Sequence, residues 1–261
     1  MKYSPLYFFT KSYSALSPHL PKFLKKRFGP KGRQLLQNHI FKKKKQLNSE
    51  FVRLGDLVFD IGAYKGEMTD VYLELGGMIV SLEPNPEQAS FLRQKFLQNK
   101  NVIFVEMGVG EKTEERPFYI NKSSQGASSF STKWKDDRFR DDLWSEKSVK
   151  LITLDDLIKI YGIPAYIKID AEGYEKLILK GLNTKVKFIS FEFTRKYLDD
   201  IYSCLEVLSK FGRAQFNYSL ATTHQLNLES KEWLDEETFK KAMGKIELSS
   251  VEGGDVYVKF I

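Results

Sequence analysis

Residues Gly55–Gly66, GDLVFDIGAYKG, decide how the rest of the chain is read. Gly55-Asp56 is a turn signal. Leu57 to Asp60 follows, three of its four residues apolar, as expected of a short strand buried on both faces. The chain then turns through Gly62 and Gly66. Beyond the turn, Glu67, Met68, Val71, Tyr72 and Leu75 recur at helical spacing as far as Gly76-Gly77. Strand, glycine turn and helix form the unit that holds nucleotides at the carboxyl ends of parallel strands.

The turn reads Asp-x-Gly-x-x-x-Gly. It lacks the Gly-x-Gly-x-x-Gly order of pyrophosphate binders and puts Asp60 where that order has its first glycine. A carboxylate there repels a pyrophosphate and suits a cation. S-adenosylmethionine (SAM) brings an ammonium, a sulfonium and a ribose. Gly62 lets the backbone approach such a ligand or take a positive φ, and Gly66 lets the helix start against it. Ile79 to Leu82 predicts a second strand ending in Glu83, 23 positions after Asp60. An acidic residue about 20 positions on typically receives ribose hydroxyls. A third strand, Val102 to Val105, leads into Glu106-Met107-Gly108. Met107 is placed to cover an adenine ring, or to fill core. Glu106 is placed to accept from the adenine amino group.

Bulk properties narrow the alternatives. The chain has 261 residues, 42% of them hydrophobic, enough for one large α/β domain with an appendage. One cysteine, Cys204, excludes an intramolecular disulfide and a cysteine-rich metal site, and is compatible with a reducing cytoplasm. His19, His39 and His224 are too scattered for a zinc-type ligand spacing. No apolar run reaches transmembrane length, and no secretory signal is expected. The net charge of +7 is unevenly spread: residues 1–50 hold 12 Lys or Arg against Glu50 alone, leaving 29 basic and 33 acidic residues elsewhere. The division expected is a basic, partly helical extension over 1–54 and a domain over 55–261. Within the extension a helix is expected over Lys31–Phe51, including the run Lys42–Lys45. Such a segment can touch an anionic membrane surface, nucleic acid, the core or a second subunit.

Further along, Asn85-Pro86-Glu87 opens a helix with its N-cap, first residue and dipole-matched acid in order. Ser123 to Ser131 reads as a mobile loop by composition. Lys133–Lys147 reads as a substrate-facing lid or a plain amphipathic helix. Thr153 is a capping-box residue for Leu154–Ile160. In AYIKIDAEGYEKLILKGL, Tyr166 to Ile169 is a strand ending in Asp170. Lys187 to Phe191 is another, ending in Glu192. Two carboxylates thus close two successive strands, on the rim where open α/β sheets bind ligands.

FDIGAYKGEMT, SLEPNPEQASFLRQKF, TLDDL, IKIDAEGYEKLILKGL and FISFEF, in this order, resemble the FkbM family of SAM-dependent methyltransferases over roughly residues 55–195 plus the terminal strand. The resemblance implies a class I methyltransferase fold: an α/β, Rossmann-like, seven-stranded, mostly parallel sheet with helices on both faces and an antiparallel last strand. It implies that Asp60, Gly62, Ala63, Tyr64 and Gly66 form the SAM methionine turn, that Glu83 takes the ribose, and that Glu106 and Met107 flank the adenine. It puts Asp170 near the transferred methyl and the SAM amino group. Tyr64 stands where the family commonly has asparagine, and Glu106 where a neutral residue is usual.

The family is similar to enzymes that methylate hydroxyls of natural products and sugars. The activity implied is O-methylation of a glycan or another small hydroxylated metabolite. A base within reach of the hydroxyl assists this reaction; Asp170 is the first candidate, Glu192 the second and His224 the third. No metal is assigned, nucleic acid is not the expected partner, and a homo-oligomer is compatible with the chain. Two other readings compete. An RNA methyltransferase would use the basic extension and show salt-dependent binding. A non-catalytic adaptor would leave the SAM site unused.

Overall fold

The strand expected after Gly55-Asp56 is β1 (Leu57–Ile61), and its apolar residues are sealed because both of its edges are paired. On one side it pairs in parallel with β2 (Met78–Leu82), which pairs with β3 (Val102–Val105). On the other it pairs in parallel with β7 (Tyr166–Ile169), followed by β8 (Phe188–Thr194). The last strand, β10 (Gly253–Phe260), runs antiparallel between β8 and β9 (Ala214–Leu220). The resulting seven-stranded order is β3-β2-β1-β7-β8-β10-β9. Strand order reverses between β1 and β7, and open α/β sheets bind ligands in the crevice outside the carboxyl ends at such a point. These features come from a computed structural model that describes residues 30–220, 232–247 and 253–261.

Register places the polar residues. Asp60 on β1 lies opposite Lys168 on β7, Lys168 opposite Ser190 on β8, and Ser190 opposite Tyr257 on β10. Side chains alternate along a strand, so these residues share one face with Asp170, Glu192 and Asp255 two positions away. Helices α1 (Pro30–Asn48) and α2 (Glu67–Glu74) lie over this face, and the helix Pro86–Lys95 packs on it beside β3. Leu47, Phe51 and Val52 pack there with Val58, Tyr72, Tyr166 and Tyr257. Phe51 stacks between Tyr166 and Tyr257, at ring-centroid distances of 5.0 and 4.9 Å. The chain between 47 and 52, counted with the extension from sequence, is therefore built into the core. The helix expected over Lys31–Phe51 ends at Asn48, and Phe51 is in a turn.

The other face of the sheet is wholly apolar: Phe59, Ile61, Ile167, Ile169, Ile189, Phe191 and Val256 meet buried side chains of the helices that pack there. Three of these are α5 (Leu154–Tyr161), α6 (Glu175–Lys180) and α7 (Leu198–Leu208). The remaining helices are α3 (Pro86–Lys95), α4 (Thr132–Arg138) and α8 (Glu236–Glu247). The Asn85 and Thr153 caps form as expected, accepting from the N–H of Glu87 and of Asp156.

Two expectations change. Lys133–Lys147 is not one helix. It splits into α4 and the start of β6 (Trp144–Ile152), which pairs with β5 (Glu115–Asn121) and β4 (Gly108–Val109) in a small second sheet. Trp144 and Ser145 have cross-strand partners, which a charge-rich local reading does not reveal. Ser123–Ser131 is tied down rather than mobile. The Asn121 side chain accepts from the N–H of Ser123 and Ser124, both at 2.8 Å, and Ser129 Oγ donates to the Glu172 carbonyl at 2.8 Å.

Candidate active site

The turn after β1 is held by backbone bonds and by one carboxylate. The N–H groups of Gly62 and Ala63 both donate to the Leu82 carbonyl. Glu83 sits just past β2 and is 6% exposed. Its two oxygens accept from the N–H of Tyr64 and of Asn85, each at 2.8 Å. Tyr64 turns its N–H that way by adopting a left-handed conformation, φ 50°. Burial pushes the Glu83 carboxyl up to about 7 against the pull of those two N–H groups. Each oxygen keeps a second acceptor position, so a ribose diol can be added without displacing the clip.

Gly62 takes the positive φ that the sequence offered as one reason for a glycine there, and both glycines also meet protein closely. At Gly62 (φ 80°) a Cβ would overlap the Asp170 carbonyl oxygen, so glycine here lets the β1 turn close onto the end of β7. At Gly66 (φ 72°) a Cβ would come within 2.7 Å of Phe96 and 2.8 Å of Leu92. Gly66 thus seats α2 against α3 and its C-cap region, and what it approaches is protein. Ala63 is buried in the same cluster, with Leu92 and Phe96.

Asp60 is completely buried. Its Oδ2 accepts from Thr69 Oγ1 at 2.6 Å, while Oδ1 is buried with no hydrogen-bond partner. Burial raises its pKa; the Lys168 charge and the Thr69 bond offset this in part. An orphaned buried carboxylate oxygen is costly unless something completes it. A cationic ligand group would do so.

The second half of the site is an acid cluster at the ends of β7 and β8. Asp170, Glu172 and Glu192 each present an oxygen within 4.8 Å of the others. Asp170 follows β7 directly. Glu192 lies within β8, which continues to Thr194 instead of ending at the carboxylate. Glu172 enters from the turn, in a left-handed conformation (φ 53°). Lys168 Nζ donates to Asp170 Oδ2 at 2.8 Å. Burial pushes Asp170 up, but the Lys168 charge and bond prevail and hold it below the usual carboxylate range. Glu192 is pushed well up, by burial first and then by Glu172 and Asp170. Glu172 is pushed well up by burial and by Asp170 and Glu175. The pressures on the cluster run in opposite directions: the Lys168 charge favours the charged form of Asp170, and burial favours the protonated forms of Glu172 and Glu192.

The sequence reading pointed to Asp60, Glu83, Asp170 and Glu192, and all four lie along this crevice. It missed Lys168, Glu172 and Asp255. The signal for Lys168 was a lone charge in the apolar strand Tyr-Ile-Lys-Ile. Asp255 carried no local signal, because only the β8–β10 pairing sets it opposite Glu192. Glu106 is exposed and ion-paired with Arg93 of α3; Met107 is half-buried beside it. His224 lies outside the described residues.

The residues present fit SAM: an orphaned carboxylate and an ionised Asp170 for its cations, and a buried glutamate with free acceptor positions for its ribose. A family model described as "Methyltransferase FkbM domain" matches residues 60–220, more than half of the chain. Among solved structures, the chain is similar to a methyltransferase FkbM from Methylobacillus flagellatus KT: 15% identity, TM-score 0.46, covering 78% of this chain and 43% of that one. It is also similar to a SAM-dependent O-methyltransferase from Thermotoga maritima, at 10% identity and TM-score 0.43, covering 84% and 65%. Aeropyrum pernix fibrillarin with natively bound S-adenosyl-L-methionine is a further similar structure, at 8% identity and TM-score 0.43, covering 80% and 68%. No curated protein matches the sequence.

Proposed function

This chain belongs to the FkbM methyltransferase family and depends on SAM; within that class, we propose that it is an O-methyltransferase whose acceptor is a hydroxyl of a sugar, a glycan or another small metabolite. The observation that carries the reading is geometric: Lys168 Nζ fixes the Asp170 carboxylate at the end of β7 at 2.8 Å, with an oxygen of Glu192 within 4.8 Å. The Lys168 charge favours the charged form of Asp170, and burial favours the protonated form of Glu192. Such a pair combines one proton acceptor and one hydrogen-bond donor at the crevice.

SAM, when bound, supplies an electrophilic methyl whose leaving group is a neutral thioether, so the protein need not protonate it. The chain's own tasks are alignment and proton removal. Asp60 and Asp170 attract the cationic end. Gly62, Ala63, Tyr64 and Gly66 shape the turn around it, and Glu83 takes the ribose hydroxyls. Glu106 and Met107 border the adenine, with Glu106 steered by Arg93. With SAM in place, Asp170 would take the proton of the acceptor hydroxyl, and Glu192, hydrogen-bonded to Asp170, would hold that carboxylate toward the acceptor. In-line alignment by itself is worth up to about 7–11 kcal/mol. His224 stays the third base candidate.

The RNA reading draws on the basic extension. Two lysines of the Lys42–Lys45 run are already committed: Lys44 pairs with Glu67 at 3.0 Å and Lys45 with Glu74 at 3.2 Å. That favours a packing role for α1 and a small acceptor. A cytoplasmic setting, and contact of the basic segment with a membrane surface, belong to the same proposal. Among the described residues, no helix is long and apolar enough to cross a membrane.

Calorimetric titration with SAM and with S-adenosylhomocysteine, beside a Glu83→Ala control, tests the cofactor site. An acceptor screen read by S-adenosylhomocysteine release follows, with sugars in one arm and RNA in the other. Turnover on sugars supports the proposal; turnover on RNA alone replaces it.

A further inference from the structure

Lys168 is 7% exposed and, among the described residues, is the one buried lysine or arginine. Its neighbours Tyr166, Ile167 and Ile169 are all buried, so the strand needs no charge at this position to pack. Its ammonium donates to Asp170 Oδ2 at 2.8 Å. A buried ion pair is weak as a source of stability, because desolvating both ions offsets their attraction. A cation here calls for another reason, and the groups around it supply one. Asp60 faces it from β1 and Asp255 from β10, with Asp170 on its own strand. Asp170 in turn faces Glu172 and Glu175 from the following turn and helix, and Glu192 from β8. Lys44 reaches toward Asp170 and Asp255 from α1, but it is paired with Glu67 near the surface.

We propose that Lys168 is a positioning residue for methyl transfer: its buried ammonium fixes the Asp170 carboxylate at the crevice and keeps it ionised among acids that would otherwise share its proton. This deepens the O-methyltransferase reading and rests on it. Asp170 is lowered, first by the Lys168 charge and bond and then by a Glu192 hydrogen bond and the Lys44 charge, while Asp60, Glu192 and Asp255 beside it are all raised, burial leading. Lysine reaches this point from mid-strand because its stem lies along the apolar sheet face, leaving only the ammonium among the acids.

The test is SAM affinity as a function of pH, measured by calorimetry on the full chain as wild type, K168M, K168R, D170N and K168M/D170N. An ionised Asp170 favours the SAM cation, so affinity falls as pH drops through its pKa. Removing the Lys168 charge raises that pKa. In K168M the acid limb therefore moves up by about one pH unit, about a tenfold loss of affinity on that limb. K168R keeps the wild-type limb, and most of the shift disappears in the D170N background. A purely structural role would weaken binding evenly across pH. A folded K168M with an unmoved limb overturns the proposal. So does an equal shift in the D170N background, which would assign the lysine to Asp60 or Asp255. If K168M does not fold, K168M/D170N decides: removal of both partners must restore the fold, and failure to do so makes Lys168 a packing residue. Absence of SAM binding in folded wild type would instead overturn the parent reading.

Discussion

The two halves of the crevice are built differently. In the β1–β2 half, Glu83 is clipped by two backbone N–H groups, and the turn hangs on the Leu82 carbonyl. In the β7–β8 half, side chains constrain side chains: Lys168 holds Asp170, and Glu172 and Glu192 are set by charge. Backbone clips fix the position of a carboxyl and give a preformed binding surface, even though Glu83 itself is pushed up to about 7. A cluster of carboxyls is tunable, and its state follows pH and the nearest cation. The site thus joins a rigid half to one set by the charges of its neighbours.

Gly62→Ala should break both halves at once, since its Cβ would meet the Asp170 carbonyl and φ is positive. The expected loss is about 3 kcal/mol or more in urea denaturation, together with loss of SAM binding. Unchanged stability would show that the halves are not in register.

Within the titratable half, Asp170→Asn and Glu192→Gln should part company. Loss of a general base costs about 10²- to 10⁴-fold in rate, whereas Glu192 already holds a proton and its amide keeps an N–H donor. Single-turnover methyl transfer should fall by that range in the first and less than about tenfold in the second. Equal losses would remove the division of roles.

The acid corner should also govern stability against pH. Glu175 is buried and pushed up to about 7, with burial the leading cause. An acid whose folded pKa is raised favours the folded state at low pH. That contribution is lost as pH rises from the unfolded value, near 4.5, through about 7. Glu175→Gln retains an acceptor for the Ala171 and Gly173 N–H groups. It should flatten the decline, by up to roughly 3 kcal/mol at pH 8. Parallel pH–stability curves for variant and wild type would count against a buried neutral Glu175.

The smallest effect is expected where α1 meets α2. Lys44→Ala removes a pair whose Glu67 side chain is 70% exposed. Exposed pairs of this kind contribute about 0.2–1 kcal/mol. A larger loss in thermal denaturation would mean that Lys44 also acts on the acid corner.

The rigid half was legible because its parts are local. A strand, a glycine turn and an acid some 20 residues on are connected by short chain, so spacing alone places them. Even there only the positive φ of Gly62 was legible among the reasons for the glycines. What Gly62 and Gly66 approach is Asp170, Leu92 and Phe96, which only packing reveals. The titratable half was half-legible. Asp170 and Glu192 announced themselves at strand ends, but Glu172 read as a turn residue and Lys168 as part of a motif. Ser123–Ser131 misled because polar composition resembles mobility until the Asn121 and Ser129 bonds are seen.

The sequence by itself determined the α/β order of elements, the glycine turn after β1 and the acid after β2, which follow from periodicity and short-range spacing along one chain, and its motifs in order carried the resemblance to the family. The tertiary structure decided which charges meet. Register between β1, β7, β8 and β10 brings Asp60, Lys168, Glu192 and Asp255 onto one face from positions up to 195 residues apart. Protonation there depends on distance and burial, which only the folded arrangement sets.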